Sequence, residues 1–188
     1  SSPSYTGLDL GNGISLLPQT TATSITLKAV GQTWVHLLPP GASPLPRERH
    51  AAAYNPASDR MIVFGGLSDT GPRNDVWVLS SADGQAGIPA WTQLAPTGGP
   101  PSVREGHTAV YDDAGNTLIV FGGDDAGGAP VTNAEVWVLT GADGTAGTPN
   151  WTQLSPTGGP PAARSGQSAV YDAAGHQMVV FGGDDAPP

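Results

Sequence analysis

The sequence predicts an all-β protein built from repeated four-stranded antiparallel sheets. Three observations predict it. Tyr54, Tyr111 and Tyr171 head three copies of one pattern, at spacings of 57 and 60 residues, and a fixed period of this size marks a repeat architecture. The apolar runs are short and dense, with no capped segment of helical spacing. Clusters of Gly, Pro, Asn and Asp separate each run from the next.

Each copy reads in the same order. An arginine (Arg47, Arg104, Arg164) lies three residues before a polar side chain (His50, His107, Gln167), and four residues later comes the tyrosine. Ten residues after the tyrosine stands Phe-Gly-Gly, at Phe64-Gly65-Gly66, Phe121-Gly122-Gly123 and Phe181-Gly182-Gly183. Within one period this gives strand A at 50–54, strand B at 61–64, strand C at 76–79 and strand D at 91–94. Strands B and C are apolar on both faces, as expected where one sheet stacks on the next. Asn55-Pro56 and the run from Asp112 to Asn116 make the A–B turns. Trp77 and Trp137 fall in strand C, whereas Trp34, Trp91 and Trp151 repeat in strand D at the same two spacings. The doublets Gly65-Gly66, Gly122-Gly123 and Gly182-Gly183 permit close approach or a positive φ at the strand end.

An apolar quartet ending in Gly-Gly, an aromatic in strand C and a tryptophan in strand D resemble the kelch family of β-propellers, over about residues 24–188. The blades look like the longer bacterial variety related to the galactose-oxidase central domain. The resemblance implies that the repeated arginine bridges backbone groups across blades. It also implies a closed ring, but the strands counted here give an incomplete ring in one chain. Residues 49–95 and 106–155 are two full blades, 166–183 hold strands A and B of a split blade, and 24–38 read as strands C and D of one. Three blade equivalents fall short of the four usual for a ring. Either the chain is part of a longer one, or chains join head to tail as a homo-oligomer. Residues 1–23 lie outside the repeat and read as an N-terminal arm with apolar positions such as Leu8, Leu10 and Ile14.

The charge balance narrows the partners. A net charge of −9 with a single lysine, Lys28, opposes nucleic acid and anionic membrane surfaces. No run of 18 apolar residues provides for membrane insertion. Without cysteine there is no disulfide, no thiolate metal site and no cysteine nucleophile. The copper-radical site of galactose oxidase needs a cysteine cross-linked to tyrosine, so that chemistry does not carry over.

The remaining polar candidates read as parts of the repeat. His50, His107 and Gln167 make an inconsistent ligand set, since an amide replaces imidazole poorly on a metal. Asp124-Asp125 and Asp184-Asp185 follow the Gly-Gly doublets and read as solvated acidic turns, too few oxygens for calcium. Asp83-Gly84 and Asp143-Gly144 read as hairpin turns. The expected function is therefore a non-catalytic extracellular or cell-surface module, structural or binding protein or glycan, with no cofactor. The alternative is a blade fragment of a larger secreted kelch enzyme of unknown chemistry.

Overall fold

The computed structural model describes residues 36–85, 87–125, 134–159 and 161–185, together with two short strands, β1 (Leu8–Asp9) and β2 (Ser15–Leu16), which pair antiparallel. Among the described residues every regular element is a β-strand. Trp34, the proposed strands over 24–35 and most of the N-terminal arm lie outside the described residues.

The first sheet contains β3 (Arg47–Glu48), β4 (Ala51–Asn55), β5 (Arg60–Ser68), β6 (Gly71–Ser80) and β7 (Ala90–Gln93). Its strands pair antiparallel in chain order, with both β3 and β4 on β5. The second contains β8 (Thr108–Asp112), β9 (Thr117–Phe121), β10 (Val136–Thr140) and β11 (Asn150–Leu154), again in chain order. The third is half a blade. β13 (Ser168–Asp172) pairs β14 (Gln177–Phe181), and β12 (Arg164–Ser165) pairs β15 (Asp184–Asp185).

Strand B of the first blade runs longer than its apolar quartet. β5 continues through Gly65-Gly66 to Ser68, with a register shift between Phe64 and Gly66. Such a bulge turns the strand and frees a backbone group from the ladder. The freed Gly66 N–H donates to the Arg104 carbonyl of the next blade at 2.9 Å, and Gly123 N–H donates likewise to Arg164 at 2.9 Å. The doublet is thus a stitch between blades.

The strands β4, β8 and β13 lie side by side at the inner edge, where Gly106 N–H donates to the Arg49 carbonyl and Gly166 N–H to the Gly106 carbonyl. The blades stack face to face. Ile62, Phe64, Val76 and Val78 of the first meet Tyr111, Leu118, Val120, Leu139 and Trp151 of the second in one buried cluster. Trp151 is 1% exposed and lies 5.0 Å from the Phe64 ring, centroid to centroid. The opposite face of the first blade buries Val63, Trp77, Leu79, Ala82 and Trp91 beneath Leu37.

Candidate functional site: the charged inner rim

Each repeated arginine sits just before strand A and reaches along its own blade. Arg104 is fully buried. It donates to the Ser102 and Gly122 carbonyls and, at 2.7 Å, to Glu135 Oε2. Trp137 Nε1 donates to the same carboxylate oxygen at 3.1 Å. Blade one repeats the set. Arg47 donates to the Leu45 and Gly65 carbonyls and bidentately to Asp75, at 2.6 and 2.9 Å, and Trp77 Nε1 donates to Asp75 Oδ2. Burial pushes the Asp75 carboxyl up, but the bonds from Arg47 and Trp77 and the Arg47 charge outweigh it and hold it below the usual carboxylate range. The arginine works within its blade, not across blades as the resemblance implied. Its guanidinium follows the strand B carbonyl and the strand C carboxylate, and both belong to its own sheet.

The residue three positions later does cross between blades. His107 Nε2 lies 3.1 Å from the Phe64 carbonyl oxygen, and Gln167 Nε2 donates to the Phe121 carbonyl at 2.9 Å. His50 occupies the same position in blade one. Burial, with the nearby Arg104 charge, pushes the His107 imidazole down to about 3, so it is neutral.

The tyrosines anchor the opposite end of each blade. Tyr54 Oη donates to Asp59 and Tyr111 Oη to Asn116, whereas Tyr171 Oη stands 3.5 Å from His176. Asp143 is buried rather than a free turn residue. It accepts from Asn116 of its own blade at 2.6 Å and from Asn55 of the preceding one at 3.0 Å. Burial and the Asp143 charge push the Tyr111 hydroxyl up to about 12. Nothing in the repeat signalled Asn55, whose counterparts are Asp112 and Asp172.

At the inner rim the repeat breaks. Arg49, the counterpart of Gly106 and Gly166, donates to Glu105 Oε1 at 2.7 Å and Asp124 Oδ2 at 3.0 Å. Glu105 and Asp124 also exchange two backbone hydrogen bonds, of 2.9 and 2.8 Å. Asp124 is therefore not a solvated turn: it is 7% exposed and neutralised by an arginine from the neighbouring blade. The Arg49 side chain itself is 44% exposed, and its φ of 53° is the left-handed conformation that glycine fills elsewhere. The cluster lies where the chain leaves β9, at Asp124, and the sequence between the Gly-Gly doublet and strand C is where blades one and two differ most in length, 67–74 against 124–134. Among the described residues no group of three His, Cys, Asp or Glu side chains is placed to hold a metal.

Four-stranded antiparallel sheets stacked face to face about a common inner edge define a β-propeller. The chain belongs to the kelch-repeat family: residues 18–186 match the family described as the KLHDC2/KLHL20/DRC7 Kelch-repeats domain. It is similar to the Rab9 effector protein with kelch motifs of Danio rerio, 38% identical over 133 residues that cover 70% of this chain and 36% of the relative. The mouse protein of that name is 37% identical, over 74% of this chain and 33% of its own. Another mouse relative, multiple epidermal growth factor-like domains protein 8, is 34% identical over 76% of this chain but only 5% of itself. The chain thus spans about a third of the length of the first relatives. A solved structure titled "Structure of YjhT" shares the fold, with a TM-score of 0.53, 23% identity, and coverage of 77% of this chain and 36% of that one.

Proposed function

We propose that this chain is a non-catalytic protein-recognition module whose binding surface is the inner-rim face carrying the B–C loops. The observation that carries the reading is the division of labour between repeated and unrepeated residues. Repeated polar side chains are consumed by bonds within and between blades. The unrepeated one, Arg49, reaches Glu105 and Asp124 beside the connections of unequal length. Exposed loops on a rigid scaffold are the usual place for recognition. The relatives named as Rab9 effectors support a protein partner over a glycan. An extracellular or cell-surface setting belongs to the same proposal.

The test exchanges residues 124–134 for the shorter run 67–74 of blade one, in the full chain. Proteins crosslinked to parent and exchanged chains in extracts of the source cells are compared. A partner captured by the parent and lost on exchange, with an unchanged melting temperature, supports the reading. Identical capture by both chains, or glycan-array binding without a protein partner, overturns it. Surface labelling of intact source cells checks the setting.

A further inference from the structure

We propose that the paired carboxylates of Glu105 and Asp124 are the rim's receptor for an arginine side chain of the protein partner, and that Arg49 is an internal stand-in which yields the pair on binding. The inference rests on the reading of the rim given above and names the chemical group that the rim takes.

The pair is a feature of one blade. Where the segment before strand A meets the segment after the Gly-Gly doublet, blade one sets Glu48 opposite Leu67, and the half blade sets Ser165 opposite Asp184. The second blade sets Glu105 opposite Asp124, and both are buried. Like charges directly opposite each other across a ladder repel, and burial strengthens the repulsion. Two such carboxylates stay together because a cation lies between them.

Arg49 supplies that cation incompletely. It donates one nitrogen to each carboxylate, Nη1 to Glu105 Oε1 at 2.7 Å and Nη2 to Asp124 Oδ2 at 3.0 Å. One positive charge thus faces two negative ones. Glu105 is 8% exposed, and its Oε2 is buried with no donor among the described residues. A buried carboxylate oxygen without a donor leaves its desolvation uncompensated. A ligand that brings more N–H groups to the pair removes that penalty.

The stand-in shows which ligand fits. A guanidinium reaches both carboxylates at once, because its five donors are held in a rigid planar fork. Seated bidentately on Glu105, it would serve Oε1 and Oε2 together. An ammonium is a point donor and matches this arrangement less well. The charge of the chain points the same way. Sixteen acidic against seven basic side chains give −9, a field that draws a basic partner and repels an acidic one.

Arg49 is placed to leave. It belongs to the neighbouring blade, and its side chain is 44% exposed. Its guanidinium lies over Gly106, where a Cβ would stand 2.9 Å from Nη2. Its backbone, at a φ of 53°, has the conformation of Gly106 and Gly166, at 63° and 72°. Glycine at position 49 therefore suits the backbone and removes the stand-in alone.

The probe is a displayed library of random peptides panned on the full chain. Selected peptides are synthesised, fluorescein-labelled and titrated by anisotropy. They are expected to share an arginine. Replacing it by Gln should weaken binding about tenfold or more, and by Lys about fivefold. Arg49→Gly and Arg49→Gln should each tighten binding about tenfold, because the competing guanidinium is gone. Glu105→Gln added to Arg49→Gly, with an unchanged melt, should erase the preference for arginine. Peptides that share no arginine overturn the inference, and so does a library that yields no peptide. Binding that both Arg49 variants leave unchanged or weaken overturns it as well, since an ion pair of purely structural use predicts that result. If arginine-free peptides are lost on the loop exchange, the rim reading stands and the arginine receptor falls. Arginine peptides that depend on Glu105, alongside protein capture that the loop exchange leaves unchanged, keep the receptor and sink the rim reading.

Discussion

His107 and Gln167 do one job with different chemistry. Each lies between blades against a strand B carbonyl, and each leaves its second polar atom, Nδ1 or Oε1, buried without a partner among the described residues. The carbonyl fixes the Nε2–H tautomer of His107, and the Phe64 ring packs edge-on at 5.0 Å. A group held neutral by burial, to about 3, binds no proton in the fold until strong acid. The unfolded chain takes one up below about 6.5, so the folded state loses about 1.4 kcal/mol per pH unit as pH falls from there towards 3. His107→Gln keeps the donor and removes the titration. We expect denaturant melts of parent and variant to agree within about 1 kcal/mol at pH 7.5 and to separate, the variant more stable, by about 2–3 kcal/mol at pH 4.5. Parallel pH profiles would show that this imidazole does not titrate on unfolding.

Elements are tied by glycines whose surroundings differ from blade to blade. Gly122 has a φ of 69°, and a Cβ there would stand 2.6 Å from the Arg164 carbonyl oxygen and 2.8 Å from Gln167 Nε2. Gly182 has nearly the same φ, 73°, with nothing within 4 Å of its Cβ position. Both pay the left-handed backbone cost on substitution, but only Gly122 adds a clash with backbone. Gly122→Ala should therefore cost at least about 2 kcal/mol more than Gly182→Ala in urea melts; equal costs would mean the inter-blade stitch is absent in solution. The strands, doublets and tryptophans were legible in sequence because the repeat states them three times. The reach of β5 past Phe64 was not, since a bulge follows from a hydrogen bond to the next blade. The Asn55–Asp143 link and the Arg49 cluster were equally hidden. They join turns 88 and 75 residues apart, each through a residue, Asn55 or Arg49, that the other copies of the repeat replace.

At the scale of the molecule, stability in a repeat protein is a sum over blades and the interfaces between neighbours. The second blade has both kinds of neighbour. Its β9 and β10 contribute Leu118, Val120 and Leu139, each no more than 1% exposed, to the interface with blade one. Its other face, at Phe121, meets the half blade across a partly empty cavity. Among the described residues the half blade has one neighbour, and an outward face on which Val170, Val179 and Phe181 are exposed, Phe181 to 82%. Little apolar area holds β13 and β14 in place, so local opening there needs no disruption of the main core. Hydrogen exchange read by mass spectrometry should rank the strands accordingly: 177–181 first, 60–64 and 117–121 last. Uniform exchange across all three blades would mean that they open as a single unit, with the half blade held by contacts this architecture does not contain.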